Sequence, residues 1–592
     1  MTHTFHIPVL GLAFSIDSPQ KVAQYGISSV ISIVDDELIE RMRKYYCELY
    51  HKIYSYISPK EPDYRANRIT AYLDLVNEIV SQQIHTLKVA DLDVDINIQK
   101  YFSLLPEESD VKKLYVQYLK TDDVDTKQQI ANTLKQSIKA GSINVNIMSK
   151  VDKINYDPQG NDLEAIYSDA SAALRGYAKS SLWSSVVLSA GMNPKLYSYI
   201  ADLPQFLPNN KGYFKKKIIL KVSDYRSALI QAKFLAKKGV WVSEFRIESG
   251  LNCGGHAFAT DGYLMGPILE EFKLNRDNLT NELFPIYQKA LSEKSVIIDE
   301  APKIKVTAQG GVGTAQEQQF LLNYYNLDSI GWGSPFLLVP EATTVDDTTL
   351  KALSTADQDD FYISGSSPLG VPFNNFKKSS AEIYRQQRIQ KGRPGAPCTK
   401  KYLVANAEFS KEPICTASRI YQYTKIKELD QQNIDAKEYS KQIDDITNKT
   451  CLCEGLATSA YLKYGILENK ENDAVAICPG PNTAYFNSVY SLKEMVDHIY
   501  GRHNLLADTQ RPSMFINELN LYIQHLEKYI QNTPISNKTI KYIEKFSNEL
   551  TKGIHYYKEI SDKLFNNKEE LTKFLKSLET ALSNIKKIHL PA

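Results

Sequence analysis

The stretch KIKVTAQGGVGTAQEQQFLLNYYNLDSIGWGSPFLLVPE, Lys303 to Glu341, decides the fold class of this chain. Its first strand, Lys303 to Ala308, has alternating apolar residues and leads to Gly310-Gly311. A helical segment follows, and a second short strand, Asp328 to Trp332, ends at Gly333-Ser334. Two strands that each end in a glycine turn, with a helix between them, are typical of a βαβ unit in a parallel sheet.

Both glycine turns suit the binding of phosphate. Because glycine lacks a Cβ atom, backbone N–H groups at such turns can approach phosphate oxygens closely. In (β/α)8 barrels the loops after strands seven and eight commonly form a phosphate site. Thr314 and Glu317 form a T-x-x-E capping box, which predicts the start of the intervening helix. The pattern predicts a phosphate clamp, and the alternative is an ordinary βαβ unit whose glycines only form turns.

Six further segments are predicted to be strands, because they are short, apolar and bounded by turn formers. They are His6–Ser15, Ile27–Val34, Ile143–Met148, Ser185–Ser189, Lys217–Val222 and Trp241–Ile247. The eight strands alternate with helices, apart from one helical insertion, and this alternation favours a parallel closed barrel over an antiparallel sheet. The predicted fold class is α/β: a (β/α)8 TIM barrel with a helical insertion after strand 2.

At 592 residues the chain is too long for one hydrophobic core. Residues 1–35 and 141–345 are assigned to the barrel, and residues 36–140 to the insertion, where apolar residues recur every three to four positions. Residues 346–505 are predicted to be a loop-rich, cysteine-containing region that folds over the barrel mouth. Residues 506–592 are predicted to be a C-terminal helical bundle that offers an oligomer contact.

The composition is that of a globular protein, with 43% hydrophobic and 23% charged residues. A net charge of +1 favours neither nucleic acid nor an anionic membrane surface. The amino terminus has no basic and apolar signal pattern, and no apolar run approaches the ~20 residues of a membrane span. Seven cysteines, an odd number, do not suggest a disulfide framework, so a reducing cytoplasm is the expected compartment.

The segments AQGGVGTAQ and GWGSPFLLVPEA resemble the last two phosphate-binding segments of the nitronate monooxygenase (2-nitropropane dioxygenase) family, which includes FMN-dependent enoyl-acyl carrier protein reductases. The resemblance implies that backbone N–H groups of Gly310, Gly311, Gly333 and Ser334 hold the FMN phosphate. Gln309 replaces an alanine of the family pattern and is expected beside the cofactor. Ser334 replaces a threonine but keeps the hydroxyl group.

The opening of the chain also resembles the family's first strand and turn. The resemblance implies that Ala13 and Phe14 lie against the flavin ring, with Phe14 standing near a methionine of the family pattern. A second contact with the ring is expected at Gly191, in the glycine turn after the fourth strand. The similarity covers residues 1–35 and 141–345, roughly two fifths of the chain by the assignment above.

The turn ESGLNCGGHAFATDG resembles a third family segment, E-G-x-E-A-G-G-H. Gly254, Gly255 and His256 match in order, which implies that the two glycines lie near the flavin and that His256 is an acid or base beside it. Imidazole titrates near neutral pH and suits proton transfer at a carbon acid. The alternative is a histidine that only orients its loop. Asn252 and Cys253 depart from the family pattern, so the substrate chemistry is expected to differ.

Lys221 lies near the end of the predicted fifth strand. An ammonium group there could stabilise negative charge on a reduced flavin. The alternative is an ordinary solvated lysine at the end of a strand.

Five of the seven cysteines lie beyond the barrel: Cys398, Cys415, Cys451, Cys453 and Cys478. Such enrichment in a reducing compartment suggests thiolate ligands for an iron–sulfur cluster or zinc, with Cys415, Cys451, Cys453 and Cys478 as the predicted ligand set. The spacing contains no C-x-x-C pair, and buried structural cysteines are the alternative.

The resemblance implies an FMN-dependent oxidoreductase that acts on a small carbon acid, such as a nitronate, or on an enoyl-type substrate, with His256 as acid or base. The electron donor is expected to be NAD(P)H or a protein. Two alternatives remain open. One is a non-flavin barrel that binds another phosphorylated ligand, such as a nucleotide or sugar phosphate, and the other is a catalytically inactive scaffold.

Overall fold

The computed structural model describes residues 2–147, 152–157, 159–189, 191–209, 212–534, 536–565 and 567–588. Eight short strands form a closed barrel: β1 (Phe5–Ile7), β2 (Ser28–Ser32), β3 (Ile143–Asn146), β4 (Ser184–Leu188), β5 (Lys216–Val222), β6 (Val242–Glu248), β7 (Lys305–Gln309) and β8 (Ser329–Gly331). Neighbouring strands are parallel, and β1 pairs with both β2 and β8. The predicted (β/α)8 class is confirmed.

Each predicted strand segment overlaps one strand of the barrel. The first strand is shorter than predicted and ends before Pro8. A proline has no backbone N–H to donate to a ladder, so pairing stops there. Met148, at the end of the third predicted strand, lies outside the described residues.

Helices connect the strands in the order expected of a (β/α)8 barrel. Between β1 and β2 lies α1 (Ser18–Val22); between β2 and β3 lie α2 (Asp36–Leu49), α3 (Tyr64–Val89), α4 (Ile96–Leu104), α5 (Asp110–Lys120) and α6 (Val124–Ser137). The later connections are α7 (Asp169–Lys179), α8 (Pro194–Ala201), α9 (Tyr225–Lys237), the pair α10 (Met265–Leu274) and α11 (Arg276–Ser292), and α12 (Ala315–Tyr324). The predicted helical insertion after strand 2 therefore consists of α2 to α6.

The chain after the barrel contains an antiparallel hairpin and nine α-helices in its described part. The hairpin is β9 (Phe361–Ser364) with β10 (Phe373–Phe376). The helices are α13 (Asp347–Ser354), α14 (Ser380–Gln390), α15 (Arg419–Leu429), α16 (Ala436–Thr447), α17 (Leu452–Tyr464), α18 (Leu492–Ile499), α19 (Met514–Asn532), α20 (Asn537–Leu564) and α21 (Lys568–Lys587). Among the described residues, no helix combines the length and apolar character needed to cross a membrane.

Polar side chains fill part of the barrel interior. Because side chains alternate along a strand, Glu244, Arg246 and Glu248 of β6 share one face, and Phe245 lies on the other. Glu244 accepts hydrogen bonds from Arg246 at 2.6 Å and from the Thr307 hydroxyl of β7 at 2.7 Å. This pairing offsets the free-energy cost of burying the charges of Glu244 and Arg246. Glu248, last on the same face, is left at the C-terminal end of the strand.

Asp35 joins the insertion to the chain that follows the barrel. Its carboxylate caps α2 by accepting hydrogen bonds from the backbone N–H groups of Glu37 and Leu38. The same carboxylate accepts hydrogen bonds from the Lys400 ammonium group and, at 3.2 Å, from the Tyr402 hydroxyl. One buried acid therefore fixes both the start of the insertion and a distant loop at the mouth of the barrel.

Candidate active site

A cavity of about 330 Å³ lies at the C-terminal ends of the barrel strands. Every strand contributes one lining residue at or near its C-terminal end: Pro8, Ser32, Asn146, Ser189, Lys221, Glu248, Gln309 and Gly331. Sites for small molecules and cofactors are commonly about 300–1,000 Å³. The cavity thus has the position and size of the active site of a (β/α)8 enzyme.

Segments that follow the barrel close the cavity from above. Their lining side chains are mainly apolar: Leu369, Val371, Phe373, Leu403, Leu452 and Leu456. Charged and amide groups from the strand ends line the opposite side. The cavity therefore combines a polar floor with an apolar roof, and much of the roof comes from residues 346–505.

The glycine turn after β7 lines this cavity. Gly310 and Gly311 have φ angles of +122° and +80°, in the region that favours glycine. A Cβ atom on Gly311 would lie 2.0 Å from Asn252 Nδ2, and one on Gly310 would lie 2.9 Å from Cys253 Sγ. Conformation and crowding both require glycine at these two positions, and the backbone borders the cavity directly.

The second glycine turn, Gly333-Ser334, lines the same cavity. The Ser334 hydroxyl accepts a hydrogen bond from the Gly480 N–H group at 2.7 Å and keeps its own proton for donation. The Cys478 carbonyl accepts a hydrogen bond from the Gly255 N–H group at 3.0 Å. The segment from Cys478 to Gly480 therefore ties together the loops that follow β6 and β8.

The predicted capping box at the start of α12 forms only in part. Thr314 is the N-cap, and its hydroxyl accepts a hydrogen bond from the Glu317 N–H group at 3.2 Å. The Glu317 carboxylate accepts from the Gly313 N–H group at 2.8 Å rather than from that of Thr314. The Glu317 side chain is thus hydrogen-bonded to the glycine turn that precedes α12.

Lys221 is paired at the floor of the cavity. Its ammonium nitrogen lies 2.9 Å and 3.2 Å from the two carboxylate oxygens of Glu248. Gln309 Nε2 donates to the same carboxylate at 2.7 Å. Among the described residues, the buried Gln309 Oε1 has no hydrogen-bond donor.

His256 is half-buried and lines the cavity on the loop after β6. Its Nε2 lies 2.9 Å from the Ser367 hydroxyl, and its ring packs edge-on against Phe373 with centroids 4.9 Å apart. The Asn374 N–H group donates to the Gly255 carbonyl at 2.9 Å. The loop between β9 and β10, together with β10 itself, therefore holds the histidine at the cavity wall. Gly254 and Gly255 also line the cavity.

Three predicted cofactor contacts do not line the cavity. Ala13 and Phe14 are fully buried, and the Ala13 N–H group donates to the Leu456 carbonyl of α17 at 3.0 Å. The cavity is lined instead by residues 8–12 of the same segment. Gly191 is exposed and lies outside the lining residues. The Phe14 carbonyl also accepts a hydrogen bond from the Thr344 N–H group at 3.1 Å, so both residues are held in the core by segments that follow the barrel.

The four cysteines of the predicted metal set do not all lie together. Cys415, Cys451 and Cys453 line a small second cavity with Cys398, whereas Cys478 lines only the main cavity, which Cys453 also borders. A hydrogen bond with the Cys415 thiol lowers the pKa of Cys398 to about 7. Among the described residues, no three histidine, cysteine or acidic side chains are placed to hold a metal ion. The structure therefore gives no support to the predicted iron–sulfur or zinc site.

Several cavity residues were not predicted from the sequence. Glu248 could have been found, because the alternation of charged residues in VSEFRIE places it on the inner face of β6. Asn482 and Tyr402 carry no such signal, since they lie in loops far from the barrel in the chain. Asn252 was noted only as a departure from the family pattern, and the structure places it in the cavity lining.

The sequence matches no model of a known protein family and no curated protein. Among solved structures, the chain is similar to a nitroalkane oxidase from Streptomyces ansochromogenes, with 11% identity over 65% of this chain and 86% of that chain. The TM-score is 0.29. A likeness of this degree carries no argument about function.

Proposed function

We propose that the protein is an FMN-dependent oxidoreductase that acts on a small carbon acid or an enoyl-type substrate. One observation carries the proposal: a single cavity at the C-terminal face of the barrel is lined by Gly310-Gly311, Gly333-Ser334, His256 and Lys221. The two glycine turns follow adjacent parallel strands, β7 and β8. They therefore border one space from neighbouring positions.

The residues present suit this cofactor. Backbone at positive φ next to a cavity is a common anion site, because its N–H groups can converge on phosphate oxygens. The Ser334 hydroxyl has a proton to donate, and the amide side chain of Gln309 lines the cavity. The apolar roof suits a flat aromatic ring. These features match the phosphate, ring edge and ring face of FMN.

FMN, when bound, supplies two-electron oxidation and reduction. The protein's own contribution is binding, charge and proton transfer. The glycine turns hold the phosphate, and the Lys221–Glu248 pair sets the charge at the floor. His256 accepts a proton from the substrate carbon on an imidazole nitrogen, and the Ser367 hydroxyl, 2.9 Å from Nε2, orients the ring.

The proposal is tested by measuring whether the purified protein contains or binds FMN. We expect the purified protein to be yellow or to take up FMN, with mass spectrometry identifying the released molecule as FMN. Thermal-shift measurements with FMN, riboflavin and sugar phosphates supply the comparison, because bound ligands raise the unfolding temperature. A colourless protein that gains stability only from sugar phosphates would instead support the non-flavin barrel.

The electron donor, NAD(P)H or a protein, stays a prediction from the sequence resemblance. Oligomer formation through the C-terminal helices and a cytoplasmic location also stay predictions. The electron donor is tested by adding NADH or NADPH to the flavin-loaded protein under anaerobic conditions and measuring the change in the visible absorbance of the flavin.

A further inference from the structure

Three consecutive carbonyl groups in the turn after β7, here called the phosphate turn (residues 310–313), accept hydrogen bonds from side chains that follow the barrel. The pairs are Arg511 Nη2 with the Gly311 carbonyl, Asn482 Nδ2 with the Val312 carbonyl at 2.8 Å, and His498 Nε2 with the Gly313 carbonyl at 2.8 Å. We call Asn482, His498 and Arg511 the anchor residues. They are separated from the turn by 170 to 200 positions.

The anchor residues are buried and bonded to one another through the turn. Asn482 is 3% exposed, His498 2%, and the Arg511 side chain 4%. Arg511 Nε donates to Asn482 Oδ1 at 2.8 Å, and its Nη1 donates to a Glu317 carboxylate oxygen at 2.8 Å. The other Glu317 oxygen accepts from the Gly313 N–H group. The network is closed, so each member has little freedom to move.

The hydrogen bonds of His498 fix its tautomer. Its Nδ1 accepts a hydrogen bond from the Leu505 N–H group at 3.2 Å, so Nδ1 carries no proton. Nε2 therefore carries the proton that is donated to the Gly313 carbonyl. Burial lowers the pKa of His498, which keeps the ring neutral and this donor in place at ordinary pH.

We propose that the anchor residues are positioning residues that hold the phosphate turn in its anion-binding form. In such a turn the N–H groups converge on the anion while the carbonyls point away from it. A carbonyl rotated toward the cavity would present its negative end to a phosphate group. Because each carbonyl is held by a buried donor side chain, rotation would break a hydrogen bond and leave that donor unpaired. This inference rests on the proposed function, since it takes the phosphate to be that of FMN.

The experiment compares FMN with riboflavin, which has the same ring but no phosphate. The variants are Asn482→Ala and the double change Arg511→Met with Glu317→Gln, which avoids leaving a buried carboxylate unpaired. Dissociation constants for both flavins are measured by quenching of flavin fluorescence. We expect FMN to bind about tenfold to hundredfold more weakly, as for the loss of hydrogen bonds to a charged group. Riboflavin binding should be unchanged.

The matched control is Arg502→Met. Arg502 also donates to a backbone carbonyl, that of Leu105 at 2.8 Å, and pairs with Asp497, but it does not contact the phosphate turn. We expect this variant to keep the wild-type ratio of FMN to riboflavin affinity. The unfolding temperature of each variant is measured without flavin. A change in flavin affinity that is caused by a less stable fold can then be recognised.

The outcomes separate the two proposals. If wild-type protein binds FMN no better than riboflavin, no phosphate site exists, and the proposed function and this inference both fall. If wild-type protein prefers FMN and the anchor variants keep that preference, only the inference is overturned. An equal fall in affinity for both flavins would also overturn it, because the anchors would then only support the fold.

Discussion

The Lys221 ammonium nitrogen lies 2.9 Å from a carboxylate oxygen of Glu248, across the adjacent strands β5 and β6. Both side chains line the cavity at its floor. Their opposite charges nearly cancel there, although an isolated lysine would stabilise an anion in the cavity. Removal of either partner therefore changes the net charge next to any bound ligand by one unit.

The reduction potential of bound FMN should respond in opposite directions to these two removals. Glu248→Gln leaves a positive charge that favours the anionic reduced flavin, so the potential should rise. Lys221→Met leaves a negative charge, so the potential should fall. We expect shifts on the order of 30 mV, which is about 1.4 kcal/mol for two electrons. Anaerobic reduction with a reference dye measures them.

The double variant Lys221→Met with Glu248→Gln is the control for this experiment. It removes both charges and should have a potential close to that of the wild type. Shifts of the same sign in both single variants would contradict an electrostatic effect of the pair.

His256→Ala should lower kcat/KM for a neutral nitroalkane by about 100- to 10,000-fold, the usual contribution of a general base. The preformed nitronate anion has already lost its proton, so its oxidation should be much less affected. FMN affinity should be unchanged. Stopped-flow measurement of flavin reduction by the two substrates gives the comparison, and the exposed His503→Ala is the control. Equal losses on both substrates would argue against a proton-transfer role.

Gly311→Ala should abolish tight FMN binding and lower the free energy of unfolding by about 2–5 kcal/mol. The new Cβ atom would combine strain at φ +80° with a position 2.0 Å from Asn252 Nδ2. The control is Gly392→Ala, where φ is +63° but no atom lies within 4 Å of the Cβ position. That variant should lower the free energy of unfolding by only about 1–2 kcal/mol and leave FMN affinity unaltered. Urea unfolding and flavin titration measure both effects.

The free energy of unfolding should depend on the protonation of Glu518. Burial raises its pKa from the ordinary value of 4.5 to about 7, although it bonds to the Ser249 hydroxyl, the Met265 N–H group and the Tyr557 hydroxyl. Between these two pH values the folded protein holds a proton that the unfolded chain has lost. Stability should therefore fall by up to about 3 kcal/mol as the pH rises from 4.5 to 7.

Glu518→Gln should remove this part of the pH dependence, because an amide has the same shape but does not titrate in this range. Chemical denaturation at several pH values from 5 to 8 measures the effect. Glu544→Gln, at an exposed position on the neighbouring α20, should keep the wild-type profile. A Glu518→Gln profile identical to that of the wild type would show that this carboxyl does not titrate as expected.

The sequence by itself determined the barrel. Strand and helix patterns, and the glycine turns at Gly310-Gly311 and Gly333-Ser334, are set by residues close together in the chain, so each can be recognised locally. The helical insertion was predicted for the same reason. Two adjacent strands that end in glycine turns also fixed where a phosphate site would lie, because the ends of parallel strands share one face.

Only the tertiary structure decided what surrounds that face. The pairing of Lys221 with Glu248, the contact of Ser367 with His256 and the anchoring of the phosphate turn by Arg511 join residues that are 27 to 200 positions apart. Such contacts depend on how whole elements pack, which no local pattern encodes. The same holds for Ala13 and Phe14, whose backbone groups bond to Leu456 of α17 and to Thr344, both far away in the chain.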